Sequence, residues 1–104
     1  MTPNQLRIDS WNELGLSGIK ILMALEALGG AGSWEDVVAI ARVGRGSWDE
    51  ARKTLPKLGL AREEVRVIGG RARVYLELTE LGHRVAQLLL RIDELLPESP
   101  GEGA

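Results

Sequence analysis

The stretch AREEVRVIGGRARVYLEL, residues 61–78, reads as a β-hairpin. Its turn is Gly69-Gly70, a pair able to adopt the positive φ angles that a two-residue hairpin turn demands. With those two residues as the loop, Ile68 faces Arg71, Val67 faces Ala72, Arg66 faces Arg73, Val65 faces Val74, Glu64 faces Tyr75 and Glu63 faces Leu76. Cross-strand partners project to the same side of a sheet. One side therefore carries Val65, Val67, Ala72, Val74, Leu76 and Leu78, and the other Glu64, Arg66, Arg71, Arg73, Tyr75 and Glu77. Arg66 opposite Arg73 is a like-charge pair that costs about 0.2–1 kcal/mol unless an anion lies between them. A phosphate suits that position, and the alternative is an exposed face whose arginines pair with Glu64 and Glu77.

Helical segments lie on both sides of the hairpin. Ser47-Trp48-Asp49-Glu50 has the order of a capping box, and Trp48, Ala51, Leu55 and Leu58 follow at helical spacing. The outward face of this helix carries Asp49, Glu50, Arg52, Lys53 and Lys57. Pro56 cannot donate to the carbonyl of Arg52, which implies a kink or an early end, and Gly59 supplies a stop. Upstream, Val43-Gly44-Arg45-Gly46 separates it from a helix opened by Ser33-Trp34-Glu35-Asp36, whose buried face is Trp34, Val37, Val38 and Ala41. The echo of Gly-Ser-Trp-acid-acid at 32–36 and 46–50 reflects two similarly capped helices. A further helix runs from Ser17 to about Leu28 and ends at Gly29-Gly30. Before it, Thr2-Pro3 suits a helix start, with Leu6, Trp11 and Leu14 expected to pack on the body.

After the hairpin, Thr79 is placed as an N-cap. Leu81, Val85, Leu88, Ile92 and Leu95 then recur at alternating spacings of four and three, with Leu89 and Leu96 widening the stripe. An apolar face of this kind fits a dimer interface formed with a second copy, the alternative being an intramolecular core. The expected organisation is mainly α with a small β-hairpin. It comprises an N-terminal arm or short helix (1–16), a core (17–78), a C-terminal dimerisation helix (79–96) and a disordered tail (97–104).

Composition narrows the function. At 104 residues the chain holds one core. Its N-terminus lacks the features of a signal peptide and no apolar run approaches the roughly 20 residues that span a bilayer, so no membrane role and a cytoplasmic location are expected. The absence of cysteine removes disulfides, thiolate metal sites and cysteine nucleophiles. His83, the one histidine, lies without a second ligand and reads as a surface or dimer-interface residue. No catalytic constellation, phosphate-cradling loop, cofactor or metal site is evident. The net charge of −2 conceals a strong asymmetry: residues 1–41 carry two basic and five acidic groups, 42–73 nine and four, and 74–104 two and six. A basic middle between acidic ends suggests a face for a polyanion, or an ordinary solvated surface.

The order helix, helix, turn, helix, hairpin, helix resembles a winged helix-turn-helix domain over about residues 17–96. Leu55-Pro56-Lys57-Leu58-Gly59-Leu60-Ala61-Arg62 looks like the junction between recognition helix and wing in MarR-like and PadR-like regulators. Leu76-Glu77-Leu78-Thr79-Glu80-Leu81-Gly82 is similar to the Leu-Thr-x-x-Gly segment by which those proteins leave the wing. The resemblance implies a dimeric transcriptional regulator of duplex DNA, with residues 47–58 in the major groove and the hairpin tip, 68–73, on the neighbouring backbone or minor groove. On that reading Arg66, Arg71 and Arg73, Arg45 in the turn, and Lys53 and Lys57 neutralise phosphates, while Arg52 is the candidate for reading guanine. Asp49 and Glu50 depart from the pattern: they stabilise the helix start through its dipole, or accept from cytosine amino groups. Trp34 and Trp48 stack on bases or, as their helix phases favour, fill the core. A protein-interaction winged helix that binds no DNA is the alternative function.

Overall fold

A computed structural model describes residues 5–98. Thr2-Pro3 and the tail from residue 99 lie outside the described residues. The elements are α1 (Ile8–Ala27), β1 (Ala31–Ser33), α2 (Trp34–Ala41), α3 (Arg45–Lys57), β2 (Ala61–Ile68), β3 (Arg71–Leu78) and α4 (Glu80–Leu95). The three strands form one antiparallel sheet in the order β1-β3-β2.

The β2–β3 register is the one derived from the Gly69-Gly70 loop, from Ile68 opposite Arg71 to Ala61 opposite Leu78. Both loop glycines have positive φ, 60° and 78°. The sheet is larger than the expected hairpin because Ala31, Gly32 and Ser33 pair with Glu77, Leu76 and Tyr75. Nothing in Ala-Gly-Ser favours a strand by side chain. The main-chain bonds of the ladder hold it, continued by Leu78 N–H donating to the Gly30 carbonyl at 2.7 Å.

The apolar side of the hairpin is covered only at its root. Leu76 and Leu78 are buried with Ala61, whereas Val65 and Val67 stand 65% and 72% exposed because no helix lies over the outer half. The core that receives the root consists of Ile21, Leu22, Ala24 and Leu25 from α1, Val37 from α2, and Trp48, Ala51 and Leu55 from α3. Fully burying each of the larger side chains among them contributes about 1.5–3 kcal/mol. At the N-terminus only Leu14 joins this core; Leu6 and Trp11, expected to pack, are exposed. The chain turns away at Gly15 (φ 64°, ψ 172°), which breaks α1 into two helical pieces.

Helix ends follow local chemistry. The Asp36 carboxylate accepts from both the backbone N–H and the hydroxyl of Ser33, at 3.1 and 3.0 Å, closing the start of α2. Arg42, in the left-handed region (φ 53°), ends it. The start of α3 differs from expectation: Gly44 is its N-cap and Arg45 its first residue. Ser47 lies inside the helix, and its hydroxyl donates to Ser17 Oγ at 3.2 Å. The helix passes Pro56 and ends one residue later. There Gly59 (φ 75°) lets its own N–H reach the Pro56 carbonyl (3.0 Å) and the Leu60 N–H reach Leu55 (2.9 Å).

Thr79 caps α4 as expected. Its Oγ1 accepts from Gly82 N–H at 3.0 Å and donates to the Gly59 carbonyl at 2.6 Å, tying α4 to the end of α3. Gly82 and Ala86 are buried, Val85 and Leu89 pack partly on the core, and Leu81, Leu88, Ile92, Leu95 and Leu96 remain exposed.

Candidate nucleic-acid interface

The outward side of α3 presents Asp49, Glu50, Lys53 and Lys57 to solvent, with Arg52 half-buried. Starting the helix at Arg45 changes two readings. Arg45 belongs to the first turn of α3 instead of the preceding turn. Asp49 and Glu50 consequently lie beyond the first turn, where the helix dipole has largely faded, so stabilisation of the helix start does not explain them. Asp49 instead accepts from Arg45 Nε at 3.4 Å, one helical turn back. The Arg45 guanidinium also stands 5.5 Å from the centre of the Trp34 ring. Trp34 in turn packs at 6.3 Å, tilted by 47°, on Trp48. Trp48 is 1% exposed, so core packing is its role.

Two of the remaining basic residues of α3 are held by carboxylates from other elements. Arg52 Nε donates to Glu63 on β2 at 2.5 Å, and Lys57 pairs with Glu13 on the first piece of α1. Lys53 has no ion-pair partner among the described residues.

On the hairpin, the Arg66–Arg73 opposition is relieved by carboxylates. Arg66 pairs with Glu64 at 3.2 Å and Glu77 at 3.4 Å, and its guanidinium lies 4.5 Å from the centre of the Tyr75 ring. The hydrogen bond to Glu64 raises its pKa above the ordinary guanidinium value; desolvation opposes this, and the fields of Glu64, Glu77 and Tyr75 add to it. Arg73 reaches across to Glu35 on α2 at 3.0 Å, and Arg62 takes Glu77 at 2.8 Å. Arg71, beside the turn, is exposed and has no partner among the described residues.

Solved structures share this arrangement. Over 89% of the chain and 69% of its counterpart it superposes, at 22% identity and a TM-score of 0.68, on Bordetella bronchiseptica BpsR, whose DNA binding is regulated by 6-hydroxynicotinic acid. NadR, solved in complex with 4-hydroxyphenylacetate, matches 90% of this chain and 84% of its own at 18% identity and a TM-score of 0.61. Sso10a-2, a DNA-binding protein from Sulfolobus solfataricus, matches 78% and 80% at 15% identity and a TM-score of 0.56. The fold is a winged helix. No protein-family model and no curated relative matches the sequence.

Within this winged helix, α3 occupies the recognition-helix position and β2–β3 is the wing. The pairing of Arg66 with Glu64 and Glu77 is the alternative that the hairpin register offered, whereas Glu63, Glu35 and Glu13 were not evident as partners in the sequence, because they lie 11, 38 and 44 residues from their cations. Away from α3 and the wing, His83 Nδ1 meets Glu26 Oε1 at 2.5 Å, joining α4 to α1. The exposed apolar side of α4 adjoins an apolar groove of about 410 Å³ lined by Trp11, Leu14, Leu58, Leu60, Leu81 and Val85. Among the described residues no helix is long and apolar enough to cross a membrane, and no group of three or more His, Asp or Glu side chains is placed to hold a metal ion.

Proposed function

We propose that this winged helix binds duplex DNA as a homodimer and acts as a transcriptional regulator in the cytoplasm. The observation that carries the reading is the concentration of basic side chains on the two elements that a winged helix offers to DNA: Arg45, Arg52, Lys53 and Lys57 on α3, and Arg66, Arg71 and Arg73 on the wing. Lys53 and Arg71, the two without carboxylate partners among the described residues, are the first points of contact with phosphate. Entry of α3 into the major groove and of the wing tip beside it gives each protomer a half-site. The second copy covers Leu81, Leu88, Ile92, Leu95 and Leu96, with Val85 and Leu89 at the inner margin of the contact, and places two half-sites one helical turn or a multiple apart.

Fluorescence anisotropy against mixed-sequence duplex DNA at several salt concentrations tests the reading. Counterion release predicts a negative slope of log K against log[salt], reduced by Arg71→Glu with Arg73→Glu. Absence of binding at low salt overturns it. One feature favours a protein partner instead: the outer half of the wing exposes Val65 and Val67 on one side, an apolar surface of no evident use against phosphate. A winged helix that binds protein through that surface fails the same titration.

A further inference from the structure

We infer that Glu35, Glu63 and Glu13 are built-in competitors of the DNA backbone, which hold Arg73, Arg52 and Lys57 in the unbound protein and thereby set the affinity of the face. The inference rests on the proposed DNA-binding role of α3 and the wing.

The pairing is tertiary. Arg73 on β3 is held by Glu35 on α2 at 3.0 Å, Arg52 on α3 by Glu63 on β2 at 2.5 Å, and Lys57 on α3 by Glu13 on α1. Each acid therefore comes from an element other than the one carrying its cation, and each carboxylate is itself solvent-exposed, at 63%, 43% and 41% for Glu35, Glu63 and Glu13. The Ser33 hydroxyl, which donates to Asp36, also lies 3.3 Å from the Glu35 oxygen that receives Arg73, so its one proton is shared between the two carboxylates.

Exposed pairs of this kind are weak, worth no more than about fivefold in an equilibrium, so a phosphate can displace the acid. The displaced carboxylate then stays beside the phosphate and repels it, and it takes up a counterion as DNA releases one. Both effects lower the affinity, and the second also flattens the salt dependence. With Lys53 and Arg71 as the unpaired cations of the face, the slope of log K against log[salt] is about −2 per protomer; releasing Arg52 and Arg73 brings it to about −4.

The test compares the full chain with Glu35→Gln/Glu63→Gln on one mixed-sequence DNA duplex from low to moderate salt. Each carboxylate removed strengthens binding about threefold at low salt. The double variant is therefore expected to bind about tenfold more tightly per protomer, with the slope steeper by about 2. Glu50→Gln is the control for charge alone. Glu50 lies on the outward side of α3 without an ion-pair partner among the described residues, so its removal strengthens binding while leaving the slope within about 0.5 of wild type. Circular dichroism confirms that each variant is folded. A double variant that binds with wild-type affinity and slope, or a Glu50→Gln slope as steep as that of the double variant, overturns the inference and leaves the DNA reading standing. Failure of every variant to bind at low salt overturns the DNA reading and the inference with it.

Discussion

Gly82→Ala tests how α4 is seated. Helix propensity alone favours alanine over glycine by about 1 kcal/mol in a helix interior, so an unobstructed position is stabilised by the change. Position 82 is obstructed: a Cβ built there falls 1.8 Å from the Leu60 carbonyl oxygen, 2.8 Å from its carbon and 3.2 Å from Leu78 Cδ2. The first two contacts are with backbone and cannot be relieved by a side-chain rotation. Restoring an ordinary carbon–oxygen separation moves α4 away from the start of β2 by roughly 1.5 Å. That same carbonyl accepts the Thr79 N–H at 3.1 Å, and Thr79 carries the cap of α4. Overpacking of about 1–3 kcal/mol and a weakened hydrogen bond of about 0.5–1.5 kcal/mol outweigh the propensity gain. The net loss is about 2 kcal/mol, a fall in Tm of roughly 8–16 °C for a domain of this size. Thermal denaturation followed by circular dichroism at one fixed protein concentration reads it. An unchanged or higher Tm refutes the close approach.

Other substitutions probe the remaining parts. Leu88→Glu with Ile92→Glu places charge on the exposed side of α4 and is expected to yield a monomer near 11.3 kDa by light scattering, where the wild type gives twice that mass; a wild-type monomer at high concentration refutes the dimer. Trp48→Ala empties the space of the largest fully buried side chain and is expected to cost about 3–5 kcal/mol in urea denaturation, against well under 1 kcal/mol if the ring were an exposed stacking platform. Lys53→Glu removes an unpaired cation of α3 and is expected to weaken binding to unrelated duplexes equally, making the salt slope shallower by about 0.9; loss confined to one sequence shows that Lys53 reads bases.

Much of the fold was legible because local chemistry settles it. The two-glycine loop leaves one register for residues 61–78, and that register is observed in every pair. Thr79 and the Gly59 stop were equally plain, since each acts on groups within a few residues. The start of α3 was misread because Ser47 has the composition of a cap while Gly44, which performs the role, has no side chain to announce it. Strand β1 was missed for a similar reason: its pairing is carried by main-chain groups that every sequence possesses. The exposure of Val65 and Val67 was hidden because alternation identifies a face, whereas coverage of that face depends on what lies above it.

The charge pattern shows where segment arithmetic fails. Residues 42–73 carry an excess of basic groups, and a linear reading turns that excess into a positive face. Folding redistributes it: Glu13 and Glu35 arrive from the acidic N-terminal part and Glu77 from the acidic C-terminal part, to meet Lys57, Arg73 and Arg66. Local acids complete the compensation, Asp49 on Arg45 and Glu63 on Arg52. What remains uncompensated of that excess, among the described residues, is three separated points, Arg42 between α2 and α3, Lys53 on α3 and Arg71 on the wing. On the proposed reading, such a face attracts DNA weakly at long range and, beyond its unpaired cations, gains contacts as phosphates exchange for carboxylates. On that reading the affinity depends on the acids around the basic residues as much as on the basic residues themselves, and a net charge of −2 does not weigh against the proposed function.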